Sequence, residues 1–154
     1  MSSEHTKNIP SEIAKYSLAI QKNVSWGDMD AYGHVNNTRY FRYFEDVRIA
    51  YFEEMQGMSE LENASHVGVV VASTSCKFKR PIKYPDQLWI AARISNVDET
   101  RFTMNYAIYS EQAKAIAATG EALLVAYDLV ESRPTELTKE MLAGIQRIEA
   151  SILK

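Results

Sequence analysis

The strongest constraint on the fold is one segment that is apolar on nearly every side of a helix. A spacing of three or four residues, typical of an α-helix, separates Tyr40, Phe44, Val47, Tyr51 and Met55. Further apolar side chains widen this stripe and leave only a narrow polar band. Because a helix of this kind is largely buried, the rest of the chain has to cover it. The chain has 154 residues, which predicts one domain.

The segments around this helix have the period of two that indicates β-strands. One precedes it at residues 17–26, and four follow it at residues 66–79, 87–97, 101–110 and 114–129. The helix is predicted to begin near Asn36 or Asn37, since asparagine is a favourable N-cap residue, and to end at Gly57. An amphipathic helix opened by Pro134 and Thr138 completes the pattern.

This order of elements predicts the α+β class. Short polar links between the later strands favour hairpins, so the sheet is expected to be antiparallel. The architecture is then a five-stranded antiparallel sheet wrapped around a long central helix, with a C-terminal helix. Residues 1–16 are polar and carry Pro10, so they are expected to form a flexible N-terminal arm. Residues 17–154 are expected to form the single domain.

Composition and charge exclude several functional classes. The net charge of −3 is too small to suggest nucleic-acid binding. The sequence shows no signal-peptide pattern and no apolar run long enough to insert into a membrane. The only cysteine, Cys76, allows neither an intrachain disulfide nor a multi-cysteine zinc site. These features predict a cytoplasmic protein without a bound metal.

The residues best suited to chemistry lie immediately before the central helix. The segment from Asp28 to Asn37 reads D-M-D-A-Y-G-H-V-N-N and holds two carboxylates, one imidazole and two amides. N–H groups at a helix N-terminus can polarise a carbonyl or hold an oxyanion. A nearby carboxylate can act as a general base or as a nucleophile. The segment therefore favours acyl chemistry.

The string D-M-D-A-Y-G-H-V-N-N-x-x-Y-x-x-Y-F-E, from Asp28 to Glu45, resembles the 4-hydroxybenzoyl-CoA thioesterase-like branch of the hotdog-fold acyl-CoA thioesterases. The stretch K-R-P-I-K-Y-P-D, from Lys79 to Asp86, is similar to the segment between that family's second and third strands. The resemblance spans nearly the whole chain after about residue 17. It implies a hotdog fold and hydrolysis of a CoA thioester to free acid and CoA, without a cofactor.

The resemblance also implies roles for individual residues. The family's catalytic carboxylate matches Asp30, and its carbonyl-polarising N–H matches Asn37 in the first helical turn. His34 is expected to support the reaction, either by orienting Asp30 or by contacting substrate. Asn36 and Tyr40 are candidates for substrate binding. Asn36 is also a candidate helix cap, and Tyr40 is also a candidate core aromatic.

Family active sites usually form between two subunits, so the resemblance implies a homodimer or a homotetramer. Val71 and Ser73, on the second strand, are then expected to line the partner's pocket. Lys79 and Arg80 belong to a basic cluster that resembles the surface meeting the phosphates of CoA. No metal site is expected.

The sequence is compatible with two other functions. An enoyl-CoA hydratase-like lyase would use Asp30 and His34 to position water. A non-catalytic acyl-CoA-binding protein would hold the same ligand without turnover. Asp28 is expected to be a structural acid. In an extended segment, however, it would share a side with Asp30, and their repulsion would favour protonation of one of them.

Overall fold

A computed structural model describes residues 8–56 and 66–150 of the chain. Its regular elements are β1 (Leu18–Asn23), α1 (Asn37–Gln56), β2 (Val67–Phe78), β3 (Gln87–Ser95), β4 (Arg101–Ser110), β5 (Ala115–Asp128), β6 (Arg133–Pro134) and α2 (Lys139–Ala150). The predicted start of the central helix is confirmed. Its predicted end, Gly57, lies outside the described residues.

The sheet is antiparallel and has the strand order β1-β3-β4-β5-β2. The two predicted hairpins, β3–β4 and β4–β5, are both present. Strand β2 pairs with β5 and forms one edge of the sheet, which places β5 in the interior. This position explains why β5 carries apolar residues on both faces.

A short sixth strand was not predicted. Arg133 and Pro134 pair with Asp128 and Tyr127 at the end of β5. The sequence pattern assigned Pro134 to the start of the terminal helix, but α2 begins only at Lys139, after Thr138. The hydroxyl of Thr138 accepts a hydrogen bond from the Met141 N–H at 3.1 Å, as an N-cap residue does.

The curled sheet covers α1, as its apolar surface requires. The ring of Phe44 stacks on Tyr106 with 4.5 Å between ring centroids. Gly120 makes room for this pair, because a Cβ atom at that position would lie 2.5 Å from the Phe44 ring. Helix α2 packs against the end of α1, where a Cβ on Gly144 would collide with the Met55 carbonyl oxygen. The hotdog architecture is thus confirmed.

The outer face of the sheet holds a second, smaller apolar cluster. Ile13 is 1% exposed and packs there with Trp89 and Tyr109. The guanidinium of Arg93 also lies 5.2 Å from the ring centroid of Tyr16. The structure therefore differs from the expectation of a flexible arm for residues 9–16, because Ile9 and Ile13 cover apolar sheet surface. Residues 1–7 of the predicted arm lie outside the described residues.

Within the two described ranges, no helix is both long and apolar enough to cross a membrane.

Candidate active site

The loop between β1 and α1 is shaped by its own backbone. A 3-10 turn over Trp26–Asp28 leads into a β-bridge between Met29 and Val35. Within that bridge the Asp30 N–H donates to the His34 carbonyl at 2.9 Å. Gly33 closes the loop with a φ of 80°, a conformation that glycine adopts without steric cost. The loop therefore returns the chain to the start of α1 with Asp30 and His34 held close together.

Asp28 is held by groups that stabilise this loop. Its Oδ2 accepts hydrogen bonds from the Tyr43 hydroxyl at 2.9 Å and from the Ser25 N–H at 3.2 Å. Its Oδ1 lies 3.7 Å from Nε of Arg39. Burial, and then the hydrogen bond to Asp28, raise the pKa of Tyr43, so the phenol stays protonated. These contacts support the interpretation of Asp28 as a structural acid.

Asp30 has partners of its own. Its Oδ1 accepts the Tyr32 N–H at 2.9 Å, and its Oδ2 lies 3.4 Å from Nδ2 of Asn36. Because Asp28 and Asp30 bind separate groups, the structure gives no support to a shared carboxylate pair. Asp30 is half-buried and borders the cleft described below.

Asn36 is the N-cap of α1. Its Oδ1 accepts the Thr38 N–H at 3.0 Å, and its carbonyl accepts the Arg39 N–H at 2.9 Å. The N–H of Asn37 has no acceptor in the described part of the chain. The positive end of the helix dipole is therefore available to a ligand at Asn37.

A cleft of about 410 Å³ opens at this helix terminus. It is lined by Asp30, Tyr32, His34, Val35, Asn37, Tyr40, Phe78, Lys79, Arg80 and Pro81. Six of the nine predicted site residues are in this lining, and Asn36 lies directly behind it through its contact with Asp30. The remaining two, Val71 and Ser73, lie elsewhere on β2 and do not line this cleft.

One wall of the cleft is aromatic. Tyr40 is 3% exposed and meets Phe78 edge to face, with 4.9 Å between ring centroids. Burial raises the pKa of Tyr40, which keeps the phenol neutral. Sequence reasoning missed four residues of the lining, namely Phe78, Tyr32, Val35 and Pro81. A signal for Phe78 was available, since it ends a strand directly before the Lys-Arg-Pro stretch.

The two basic residues at the cleft, Lys79 and Arg80, are exposed. The N–H groups of Lys79 and Arg80 both donate to the Ala117 carbonyl, at 2.8 and 3.0 Å, which fixes their backbone. Among the described residues, no carboxylate lies within 4.0 Å of either side chain. Both side chains are therefore free to pair with an anion.

A second cleft, of about 430 Å³, lies beyond Pro81, which lines both. Its lining includes Lys83 and the half-exposed Tyr84. The buried Asp86 accepts hydrogen bonds there from the Ser110 hydroxyl at 2.5 Å and from the Gln112 N–H at 3.1 Å. This second cleft continues the basic surface away from Asp30.

His34 lines the first cleft, and its backbone is hydrogen-bonded within the loop. Its carbonyl accepts the Asp30 N–H, whereas its imidazole makes no hydrogen bond within the described ranges. Since both Asp30 oxygens face other donors, this geometry favours substrate contact over the orientation of Asp30 as the role of His34.

The described residues contain no group of three or more His, Cys, Asp or Glu side chains placed to hold a metal ion. Burial raises the pKa of the Cys76 thiol to about 11, so it is a poor nucleophile at neutral pH.

Strand β2 presents an exposed edge. The side chains become more exposed toward the middle of the strand, where Val71 is 42% exposed. The pairing with β5 is irregular between Val71 and Ser73, which is a β-bulge. A strand of 12 residues with exposed apolar side chains at a sheet edge is a surface suited to pairing with another chain.

Comparison with known proteins agrees with this fold. The profile of the Thioesterase-like superfamily matches residues 24–145, so the chain belongs to this superfamily. Its family and its thioesterase relatives identify it as a thioester hydrolase.

Three relatives illustrate the similarity. An uncharacterized protein of Bacillus subtilis is 34% identical over 91 residues, which are 59% of this chain and 60% of that protein. The long-chain acyl-CoA thioesterase of Escherichia coli is 22% identical over 85% of this chain and 98% of its own. A thioesterase structure from Thermus thermophilus, complexed with coenzyme A and Zn, has a TM-score of 0.76 and 26% identity. The similarity covers 88% of this chain and 96% of that one.

Proposed function

We propose that this chain hydrolyses acyl-CoA thioesters to a free acid and CoA. The observation that carries the proposal is that the Asp30 carboxylate and the unpaired Asn37 N–H, both among the described residues, border the same cleft. The first is a candidate base or nucleophile, and the second is a donor for a carbonyl oxygen. The similarity to a CoA-bound thioesterase supports CoA as the leaving group.

In the proposed reaction the thioester carbonyl oxygen faces the N-terminus of α1. The Asn37 N–H and the helix dipole then stabilise the negative charge that develops on that oxygen. Asp30 either removes a proton from water, which attacks the carbonyl carbon, or attacks the carbon itself. The second route gives a mixed anhydride that water hydrolyses. In both routes the C–S bond breaks and the CoA thiolate takes up a proton.

Different parts of the substrate contact different surfaces of the cleft, one apolar and one basic. The acyl group lies against Tyr40, Phe78 and Val35, since these provide apolar area beside Asn37. His34 contacts the bound thioester from the loop side.

Lys79 and Arg80 bind the phosphates of CoA, for which exposed cations without a carboxylate partner in the described ranges are suited. The second cleft, with Lys83 and Tyr84, lies next along this surface and takes the nucleotide end of CoA.

We further propose that two copies of the chain associate through β2, as a dimer or within a tetramer. This edge carries exposed apolar residues at the end of the sheet. Val71 and Ser73, which lie outside the cleft of their own subunit, would then line the site of the partner. The reaction as proposed uses protein groups alone, with no metal or cofactor. The proposed location is the cytoplasm, where CoA thioesters and reduced thiols occur together.

The proposal is tested by thiol release from a panel of acyl-CoA substrates with short, long and aromatic acyl groups. Release of CoA with matching free acid is expected for at least one class. Hydration of an enoyl-CoA without thiol release would favour the lyase alternative. Tight CoA binding without turnover of any substrate would favour a binding protein.

A further inference from the structure

We infer that Asn36 is a positioning residue, which couples the carboxylate of Asp30 to the N-terminus of α1. This inference rests on the proposed role of Asp30 and adds a second residue to that machinery. It replaces direct substrate contact, which was expected of Asn36, because Asn36 does not line the cleft.

The two ends of the Asn36 side chain bind two different parts of the site. Its Oδ1 accepts both the Thr38 N–H at 3.0 Å and the Thr38 hydroxyl at 2.6 Å. Its Nδ2 faces Oδ2 of Asp30 at 3.4 Å. One planar amide therefore joins the first turn of the helix to the carboxylate.

The helix cap determines which way this amide faces. An N–H group can bond only to the oxygen end of a side-chain amide. The Thr38 N–H consequently fixes Oδ1 on the helix side and turns the NH₂ group toward Asp30. A flipped amide would place two oxygens face to face and lose the cap.

The two oxygens of Asp30 are consequently held unequally. The Tyr32 N–H holds Oδ1 at 2.9 Å, whereas Asn36 approaches Oδ2 from 3.4 Å. The longer contact orients Oδ2 while leaving it capacity to accept a proton or attack carbon. Because Asn36 also caps the helix that presents the Asn37 N–H, it sets the carboxylate and the carbonyl donor relative to each other.

Two substitutions at Asn36 distinguish its proposed effect on the reaction rate from its effect on the stability of the helix. Asn36→Ser keeps an N-cap oxygen but removes the donor to Asp30. We expect kcat to fall about tenfold in this variant, since misplacement of a reacting group lowers the rate directly. KM and the melting temperature are expected to change little. Asn36→Ala, which loses both functions, should also melt at a lower temperature.

The cap of α2 provides a matched control. Thr138→Ala removes the N-cap hydrogen bond of α2 at a residue that does not line the cleft. A similar loss of stability is expected. It should lower the melting temperature as Asn36→Ala does and leave kcat unchanged.

The decisive experiment measures kcat for Asn36→Ser in the wild-type and Asp30→Asn backgrounds. The inference predicts that the tenfold effect disappears when Asp30 is already replaced, because Asn36 acts through that carboxylate. An equal effect in both backgrounds, or a wild-type kcat in Asn36→Ser, would overturn the inference. If Asp30→Asn alone kept full activity, the proposed function of Asp30 would be wrong instead.

Discussion

The hydroxyl of Tyr43, on the central helix, donates to Oδ2 of Asp28 at 2.9 Å in the loop before that helix. This bond ties the first acid of the Asp-Met-Asp motif to the core and leaves the second acid, Asp30, at the cleft. The two carboxylates thus have different partners, which supports the different roles proposed for them.

We expect Tyr43→Phe to lower the free energy of unfolding by about 1–2 kcal/mol, because it removes this bond from a partly buried carboxylate. The corresponding loss in melting temperature is about 2–4 °C per kcal/mol. Thermal unfolding and initial rates would be compared at one temperature. A fall in kcat as large as that caused by Asp30→Asn would show that Asp28 takes part in the chemistry.

The local part of this site was predictable from sequence, since residues 28–37 form one loop and one helix start. The place of Phe78 in the aromatic wall was harder to predict, because Phe78 reaches the cleft through a contact between distant segments. The Val35 N–H donates to the Ile82 carbonyl at 2.8 Å, which brings the β2–β3 loop to the motif. The positioning role proposed for Asn36 could not be predicted from sequence either, since it depends on which way the side-chain amide faces.

In the fold, too, the local elements were predictable from sequence, whereas the contacts between distant segments were not. Hydrophobic periodicity predicted both helices and five strands, because it reports which face of an element is buried. It did not predict that β2 pairs with β5, for instance Val67 with Asp128, because periodicity identifies no partner strand. The burial of Ile13 was not predicted, for a related reason. A single apolar residue in a polar segment does not show that a sheet surface lies beside it.

Alkaline pH should destabilise the protein through its buried tyrosines. Burial raises the pKa of Tyr43 and of Tyr51, and their hydrogen bonds to Asp28 and Glu149 raise it further. The unfolded chain ionises near the ordinary pKa of 10.0 while the folded chain keeps these protons. Stability is therefore fully present below about pH 10 and falls above it, by up to about 1.4 kcal/mol per pH unit for each tyrosine.

Denaturant unfolding between about pH 8 and about pH 11 measures this slope. Tyr43→Phe should reduce it, whereas Tyr32→Phe, at a residue that is 89% exposed, serves as the control. An identical slope in Tyr43→Phe and the wild type would contradict the assignment.

The basic surface should act on the CoA part of the substrate. We expect Lys79→Ala and Arg80→Ala each to raise KM for an acyl-CoA about two- to fivefold, as for exposed ion pairs. With the matching acyl-pantetheine, which lacks the nucleotide and its phosphates, KM should not change. Lys77→Ala is the control, since Lys77 is exposed but does not line the cleft. Equal effects on both substrates would contradict phosphate binding.

The edge of β2 should carry the subunit contact. Val71→Lys places a charge on this edge, which opposes strand pairing. Light scattering is expected to show a shift from an oligomer toward the 17.5 kDa of one chain, with loss of activity. Val97→Lys, at a similarly exposed turn, should remain oligomeric. A monomeric wild type that is fully active would refute a site shared between subunits.

The proposed reaction depends most directly on Asp30, and the measurement that tests it is the kcat of Asp30→Asn for the best acyl-CoA substrate. The substitution keeps the size of the side chain and removes its charge, so the melting temperature should stay close to that of the wild type. We predict a loss in kcat of about a hundredfold to ten-thousandfold, the contribution expected of a positioned base. A folded Asp30→Asn variant with wild-type kcat would contradict the proposed role of this carboxylate.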